Sequence, residues 1–363
     1  MSQENFLEKK LQERRDQQAF RTLRLPEGKT DLCSNDYLGI IHNGLLERTE
    51  APWLKHGSGG SRLLAGNDVL TESTEQLMAK FHESPAALLY NSGYDANVGL
   101  ISCVPQRGDT IIYDYLSHAS IRDGIRLSFA QSFSFRHNDL EDLEKRLQSA
   151  TGNVFVVTES VFSMDGDMAP LVEMLALCEK YKAHLIVDEA HATGVVGEQG
   201  AGLVQHLGLH TRVFARVHTF GKAVGCHGAV VLGSKLLRDY LINFSRAFIY
   251  TTSLPQSSVR AIRDAYALFP QMKSEREWLA SLIKLFQQAT IRFEKLVSET
   301  PIQVVIIPGN EAVKQVAAQL QDAGLDVRPI LYPTVPKGAE RLRIVLHAFN
   351  TEKEVRALLK LLQ

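Results

Sequence analysis

The chain has 363 residues and a formal net charge of −1, with 45% hydrophobic and 22% charged residues. This composition is that of an ordinary globular protein and excludes a disulfide scaffold, a collagen-like repeat and a disordered chain. A charge near zero gives no electrostatic reason to expect nucleic acid or an anionic membrane as a partner. At about 100–200 residues per structural unit, the length predicts two or three units.

The N-terminal sequence MSQENFLEKKLQERRDQQAF predicts one exposed amphipathic helix and lacks the apolar centre of a signal peptide. No apolar run approaches the roughly 20 residues that span a bilayer. The scattered cysteines Cys33, Cys103, Cys178 and Cys226 form no Cys-x-x-Cys pair. We therefore expect a cytoplasmic protein with reduced thiols, no membrane span and no metal site.

Short apolar runs alternate with amphipathic stretches in the first two thirds of the chain. The predicted strands cover 86–93, 109–114, 153–160, 183–191, 212–221 and 228–233. The predicted helices cover 71–83, 139–150 and 171–183. Continuously apolar strands are typical of a mostly parallel sheet that is buried on both faces. The alternation predicts an α/β fold with helices on both sides of the sheet.

The pattern changes after about residue 255, where a long helical stretch is interrupted by Pro270. Strand patterns at 302–309, 325–331 and 341–349 and a final helix follow, which predicts a smaller α+β domain. The predicted organisation is an N-terminal helix and arm (1–44), a large α/β domain (45–258) and a small C-terminal domain (259–363).

Three polar residues follow apolar runs in the predicted sheet: Asp188 and His191 in LIVDEAH, and Lys222 in VHTFGKAVG. A buried aspartate is costly unless it meets a cation or strong donors. Helix capping would explain Asp188 but not His191. The three residues fit a pyridoxal-phosphate enzyme, in which a lysine binds the cofactor aldehyde and a carboxylate pairs with the pyridinium nitrogen. On residue types alone, a generic nucleotide-binding α/β enzyme fits equally well.

The stretch NSGYDAN (91–97) places Ser92, Gly93 and Tyr94 at a predicted strand-to-helix junction. Backbone N–H groups at a helix N-terminus bind anions, and glycine allows close approach, so this junction is a candidate phosphate site. Thr219 could add a hydroxyl. A plain turn remains the alternative interpretation.

A series of longer motifs contains these residues. They are SNDYLGI (34–40), GSGGSRLLAGN (57–67), SGYDAN (92–97), DYLSHASIRDG (114–124), HND (137–139), VVTESVFSMDGDMAPL (156–171), VDEAHATGVVGEQGAG (187–202), HTFGKAVGCHGAVV (218–231), FIYTTSLP (248–255) and PTVPKG (333–338). In this order they resemble the α-oxoamine synthase family of pyridoxal-phosphate enzymes. The resemblance implies an aminotransferase-like fold (fold type I), with a large, mostly parallel sheet and a smaller C-terminal α+β domain.

The resemblance also implies a role for individual residues. Lys222 would bind the cofactor and then take the α-proton of the amino acid, Asp188 would pair with the pyridinium nitrogen, and His118 would stack on the ring. The implied contacts to the phenolic oxygen are His191 and Ser163, and those to the phosphate are Gly93, Tyr94 and Thr219, with Thr251 or Thr252 from a second subunit. A homodimer with shared active sites follows from that last contact.

For the substrates, the resemblance implies that Arg343 receives the amino-acid carboxylate, for which a planar guanidinium is suited. Arg21 and Thr334 would line the acyl pocket, and Asn35 and Glu159 would support the site. GSGGSR and PTVP favour the branch that condenses L-alanine with a pimeloyl thioester of coenzyme A or a carrier protein. Serine palmitoyltransferase, glycine C-acetyltransferase and an aminotransferase are the alternatives. An NAD enzyme is disfavoured because no G-x-G-x-x-G follows an early strand.

Overall fold

The computed structural model describes residues 5–23, 28–46 and 54–363. Residues 1–4 of the predicted N-terminal helix lie outside this part of the chain. In chain order the α-helices are α1 (Asn5–Asp16), α2 (Val69–Phe81), α3 (Gly93–Cys103), α4 (Ala119–Leu127), α5 (Leu140–Ser149), α6 (Leu171–Lys180), α7 (Leu203–His206), α8 (Lys235–Phe244), α9 (Arg246–Ile249), α10 (Gln256–Leu268), α11 (Lys273–Gln288), α12 (Asn310–Asp322) and α13 (Glu352–Leu362).

A short 3₁₀ turn, Phe269–Gln271, separates α10 from α11 at the predicted Pro270 interruption. The strands are β1 (Thr30–Asp31), β2 (Ala86–Tyr90), β3 (Thr110–Asp114), β4 (Gln131–Phe135), β5 (Val154–Glu159), β6 (His184–Asp188), β7 (Ala215–Thr219), β8 (Ala229–Gly233), β9 (Glu294–Lys295), β10 (Ile302–Ile306), β11 (Leu325–Asp326), β12 (Arg328–Ile330) and β13 (Arg341–Val345).

The chain divides into two compact units. The larger unit consists of Leu38–Ser163 and Met168–Arg276, and the smaller one of Met1–Tyr37, Met164–Asp167 and Glu277–Gln363. The predicted domain boundaries at residues 44 and 258 stay a prediction.

The larger unit is built on a sheet whose strand order, in the described part of the chain, is β2-β8-β7-β6-β5-β3-β4. Strands β7, β6, β5, β3 and β4 run parallel, and β8 is antiparallel to both β7 and β2. Every residue of β2, β5 and β7 is buried, because helices cover both faces of the sheet. The predicted mostly parallel α/β sheet is therefore confirmed.

The parallel strands β3, β5, β6 and β7 lie side by side, so their last residues share one edge of the sheet. Those residues are Asp114, Glu159, Asp188 and Thr219. In open α/β sheets, ligands bind outside the carboxyl ends of the strands. This edge, called the carboxyl edge below, is therefore where the site is sought.

The smaller unit contains an antiparallel sheet, β12-β13-β10-β9, and a parallel pair, β1-β11, within the described residues. Every residue of β13 is buried. Helix α13 begins with a capping box, in which Thr351 and Glu354 satisfy each other's backbone N–H groups. The predicted α+β character of the C-terminal part is confirmed. No helix in the described ranges combines the length and apolarity needed to cross a membrane.

Candidate active site

Two carboxylates end neighbouring strands of the carboxyl edge. Glu159 and Asp188 are register partners of β5 and β6, and both are buried. Asp188 Oδ2 accepts a hydrogen bond from Asn97 Nδ2 at 2.7 Å, and its Oδ1 accepts one from the backbone N–H of Ala190 at 2.9 Å. Burial, followed by the charge of Asp188, raises the pKa of Glu159 well above its usual range. Burial therefore disfavours the charged form of Glu159.

His118 is the N-cap of α4. It is hydrogen-bonded directly to Glu159 and is connected to Asp188 through Ser120 and Asn97. Its backbone N–H donates to Glu159 Oε1 at 2.7 Å. Its Nδ1 accepts from the backbone N–H of Ser120 at 3.2 Å and lies 2.8 Å from Ser120 Oγ. Burial lowers the pKa of His118, the charge of Asp188 opposes this, and the charge of Lys222 adds to it. His118 is consequently neutral at neutral pH.

Asn97 and Ser120 lie within the quoted motifs but were not selected from the sequence. Asn97 Nδ2 donates to Ser120 Oγ at 3.0 Å as well as to Asp188, and both residues are almost fully buried. Asn97 is an amide in the mostly buried and otherwise apolar run 96–101 of helix α3. A buried amide requires a hydrogen-bond partner, and this is the signal that could have identified Asn97.

The predicted phosphate site lies where β2 leads into α3. Ser92 caps this helix, and its hydroxyl accepts from the backbone N–H of Asp95 at 3.1 Å. A Cβ at Gly93 would meet Thr219 Cγ2 at 2.2 Å, so any side chain at residue 93 would displace Thr219. The Oγ1 of Thr219 is buried and has no hydrogen-bond partner among the described residues. A helix N-terminus beside an unsatisfied buried hydroxyl has the donors that a phosphate needs.

Tyr94, the neighbour of Gly93, is about half exposed. Its hydroxyl donates to Asp123 Oδ2 at 2.7 Å. This hydrogen bond comes first among the causes that lower the pKa of Asp123, and it raises the pKa of Tyr94. Since the hydroxyl is engaged with Asp123, the predicted phosphate contact of Tyr94 falls to its backbone N–H.

Lys222 lies in the tight turn that follows β7. The turn is closed by the backbone N–H of Gly225, which donates to the carbonyl of Lys222, and by that of Cys226, which donates to the carbonyl of Phe220. Gly225 has a φ of +68°, and a Cβ there would lie 2.7 Å from Ile40 Cγ2. The glycine at 225 is thus required by the backbone and by packing. Lys222 itself is partly exposed, and its charge contributes to the pKa values of both His118 and Glu159.

The remaining predicted cofactor contacts also belong to the larger unit. His191 is buried three residues after Asp188, and Ser163 is partly buried. The turn that carries Thr251 and Thr252 is held by Asn91, whose Nδ2 donates to Thr251 Oγ1 at 3.0 Å and to the carbonyl of Thr252 at 2.7 Å. The roles of these residues stay predictions.

The predicted substrate residues belong to the smaller unit, where the structure brings them together in two pairs. Arg343, in the buried strand β13, donates from Nη2 to Asn35 Oδ1 at 3.0 Å. Asn35 Oδ1 also accepts from the hydroxyl of Tyr37 at 3.1 Å. Arg21 Nη2 donates to Thr334 Oγ1 at 3.1 Å across 313 positions of sequence, and both are exposed. Arg343 is therefore a buried arginine with a fixed partner and not an exposed surface residue.

The larger unit's residues fit pyridoxal phosphate. The Thr219 hydroxyl, which has no partner among the described residues, and the absence of a side chain at Gly93 suit a phosphate. The buried Asp188 carboxylate suits a cationic ring nitrogen. The neutral ring of His118 suits stacking against a flat ring. Lys222 provides the amine that an aldehyde requires.

Comparison with known proteins decides the family. The family model for aminotransferase class I and II matches residues 27–362. The chain belongs to this family. An 8-amino-7-oxononanoate synthase from Emericella nidulans is 42% identical to it over 367 residues, covering 93% of this chain and 89% of that protein.

Solved structures agree with this assignment. A structure of serine palmitoyltransferase with PLP superposes with a TM-score of 0.87 at 28% identity, covering 100% of this chain and 98% of that one. The 8-amino-7-oxononanoate synthase of Francisella tularensis has a TM-score of 0.76 at 29% identity, covering 93% of this chain and 97% of that one. The predictions of fold type I, of an α-oxoamine synthase relative and of pyridoxal phosphate as the cofactor of an acyltransferase-type enzyme are confirmed.

Proposed function

We propose that this enzyme condenses L-alanine with a pimeloyl thioester to form 8-amino-7-oxononanoate, with release of carbon dioxide and the free thiol, as a step of biotin biosynthesis. The cofactor chemistry rests on Asp188, a buried carboxylate that Asn97 holds at the carboxyl edge. The choice of substrates is supported by the 42% identity to the Emericella nidulans enzyme of that name.

The catalytic residues have separate tasks in this proposal, and Lys222 has two. Pyridoxal phosphate, when bound, supplies an aldehyde that holds the amino acid and a ring that accepts electrons from its α-carbon. The Asp188 carboxylate keeps the proton on the ring nitrogen. Lys222 Nζ anchors the cofactor and, once released, removes the α-proton of the amino acid. His118 covers one face of the ring and excludes water from it.

The phosphate is held by the backbone N–H groups of Gly93 and Tyr94 and by the hydroxyl of Thr219 in this proposal. His191 and Ser163 donate to the phenolic oxygen. Thr251 or Thr252 completes the phosphate site from a second copy of the chain, which makes the enzyme a homodimer with shared sites. We also propose that it acts in the cytoplasm.

Substrate recognition is assigned to the smaller unit's paired residues. Arg343 binds the carboxylate of the amino acid by two parallel hydrogen bonds, and Asn35 orients its guanidinium. Arg21 and Thr334 contact the acyl chain, and their mutual hydrogen bond holds the arginine in place.

A second candidate is the condensation of serine with palmitoyl thioester. It is favoured by the higher TM-score to serine palmitoyltransferase, 0.87 against 0.76 for the Francisella tularensis synthase. Both candidates share the cofactor site, so the structure of that site does not separate them. The substrates do.

The experiment is a matrix of amino acids and acyl thioesters with the purified holoenzyme. Amino ketone and free thiol are measured for alanine, serine and glycine against pimeloyl, palmitoyl and acetyl thioesters. We expect turnover with alanine and pimeloyl thioester at a kcat/KM at least about a hundredfold above the other pairs. A preference for serine with palmitoyl thioester would replace the proposal by the second candidate.

The role of Lys222 is tested by borohydride reduction of the holoenzyme and peptide mass spectrometry. The cofactor should be found on the peptide that contains Lys222, and Lys222→Ala should lose both this label and about 10²–10⁴-fold in turnover. Lys235→Ala is the control, because Lys235 is an exposed lysine at the start of α8. Label on any other lysine would refute the assignment.

A further inference from the structure

A continuous hydrogen-bond chain joins Asp188 to the ring of His118. Asn97 Nδ2 lies 2.7 Å from Asp188 Oδ2 and 3.0 Å from Ser120 Oγ. Ser120 Oγ lies 2.8 Å from His118 Nδ1. This series of hydrogen bonds begins at Asp188 on β6, passes through Asn97 on α3 and Ser120 in the first turn of α4, and ends at His118, the N-cap of α4.

The chemistry of the groups fixes the direction of this chain. An ionised carboxylate only accepts, so Asn97 must present its NH₂ group to Asp188. The same NH₂ group donates its second hydrogen to Ser120 Oγ. The hydroxyl of Ser120 then has its own hydrogen to give, and His118 Nδ1 is the acceptor within reach.

A second donor points at the same ring nitrogen. The backbone N–H of Ser120 also donates to His118 Nδ1, at 3.2 Å. A nitrogen that accepts two hydrogen bonds cannot carry a proton. The proton of the neutral imidazole therefore belongs on Nε2.

We propose that Asn97 and Ser120 are positioning residues that hold His118 as the neutral Nε2–H tautomer while they orient the Asp188 carboxylate. This inference rests on the proposed function, which gives both His118 and Asp188 to the cofactor. A neutral stacking ring leaves Asp188 to stabilise a single positive charge, that of the pyridinium nitrogen. A protonated His118 would repel that charge.

The surrounding charges agree with a neutral ring. Burial and, to a smaller extent, the charge of Lys222 disfavour the imidazolium, while Asp188 and Asp123 favour it, and the net effect is a lowered pKa of His118. Glu159 accepts from the backbone N–H of His118, and burial raises the pKa of Glu159, which disfavours a negative charge beside the ring. Removing the donors to Nδ1 removes a group that favours the neutral form, so the pKa of His118 should then rise.

Helix capping is the simpler explanation of the contacts of Ser120, because His118 is the N-cap of α4. Capping accounts for the backbone N–H of Ser120. It does not require the hydroxyl of Ser120 or any contact with Asn97. The hydroxyl is therefore the group to remove.

The test is NMR of the histidine ring nitrogens in the full chain labelled with ¹⁵N-histidine, recorded without cofactor and with bound pyridoxal phosphate. The His118 signals are assigned by their loss in His118→Asn. We expect Nδ1 to be unprotonated and Nε2 to carry the proton in both forms. Because the measurement does not depend on turnover, its failure is distinct from failure of the substrate assignment.

The variants separate positioning from helix stability. Ser120→Ala should raise the pKa of His118, populate both tautomers and lower kcat/KM about tenfold, whereas Ser120→Thr should restore the wild-type signals. Asn97→Leu should weaken cofactor binding about tenfold, since Asp188 Oδ2 loses its donor. Ser128→Ala, at the other end of α4, is the control and should leave the His118 signals unchanged.

Two results would overturn the inference. One is a proton on Nδ1 of His118 in the wild-type protein. The other is a Ser120→Ala variant whose His118 tautomer and pKa match those of the wild type.

Discussion

The two edges of the large sheet each carry a buried aspartate that meets an asparagine, yet the two sites differ. The edge at which the parallel strands begin is called the amino edge here. There Asp109 precedes β3, and its Oδ1 accepts from the backbone N–H and the Nδ2 of Asn153 at 2.9 and 3.0 Å. Its Oδ2 accepts from the backbone N–H of Gln106 at 2.8 Å. Donors from the adjoining turns thus satisfy both oxygens, and Asp109 joins the turns together.

Asp188 at the carboxyl edge is held differently. Its donors are one neighbouring backbone N–H and the side chain of Asn97, which comes from a separate helix. A second carboxyl group, Glu159, ends the next strand, and an unsatisfied Thr219 hydroxyl ends the strand on the other side. Buried carboxyl groups crowded with a lysine and a histidine are typical of functional sites, where pKa values are perturbed. Asp109 thus joins turns of the fold, whereas Asp188 has the surroundings expected for the catalytic role that we propose for it.

The largest predicted effect comes from the matched pair Asp188→Asn and Asp109→Asn. Asp188→Asn should lower kcat about 10²–10³-fold, because the ring nitrogen loses its anionic partner. Asp109→Asn should leave kcat within about twofold. In either variant one acceptor that faces a donor becomes a donor itself, so both should cost about 1–3 kcal/mol in the free energy of unfolding. Turnover and urea unfolding of both variants provide the measurement. Equal losses of kcat would show that the two edges are not functionally distinct.

The next prediction concerns Glu159, whose pKa is raised by burial and by Asp188. A carboxyl group with a raised folded-state pKa contributes stability that is complete below its unfolded pKa of about 4.5 and is lost as the pH rises through the folded value. The unfolding free energy of the wild type, relative to Glu159→Gln, should therefore fall as the pH rises above about 4.5, by at most about 1.4 kcal/mol per pH unit.

Urea unfolding of the cofactor-free protein at several pH values measures this difference. Glu144→Gln gives the opposite sign as a control, because hydrogen bonds from Lys180 and Tyr181 lower the pKa of Glu144. Its contribution should be present above about pH 4.5 and disappear as the pH falls. If the difference in unfolding free energy between the wild type and Glu159→Gln were flat between about pH 5 and 8, the raised pKa of Glu159 would be contradicted.

The sequence predicted the parts of this edge whose physical cause is local. The strands β5 and β6 contain the continuous apolar runs VFVV and LIV because both faces of the sheet are covered, and both strands were predicted. Strand β4 was missed because it is an exposed edge strand, QSFSF, in which polar and apolar residues alternate over one short run. Its only strand partner in the described sheet is β3. Because most of β4 is exposed, its sequence lacks the continuous apolar run that identifies the buried strands.

The site itself was predicted where one residue suffices and missed where two distant residues act together. Asp188 and Lys222 follow strands and are single chemical groups, so their position in the pattern was informative. Asn97 and Ser120 acquire their meaning from each other across 23 positions, and Arg21 and Thr334 across 313. Local patterns do not encode such pairs, and only the resemblance to a family indicated Arg21 and Thr334.

The smallest predicted effect tests whether burial or mere location at the carboxyl edge makes a residue functional. Tyr94→Phe removes an exposed hydroxyl at this edge, and Tyr240→Phe removes a hydroxyl that contacts the Cys103 carbonyl near the amino edge. Because the phosphate contact of Tyr94 is assigned to its backbone, both variants should keep kcat within about twofold. The pKa of Asp123 should rise in Tyr94→Phe alone, since the hydrogen bond from Tyr94 is the first cause of its lowered value. A carboxylate NMR titration of Asp123 measures that shift, and a large loss of kcat in Tyr94→Phe would mean that the exposed hydroxyl takes part in the reaction.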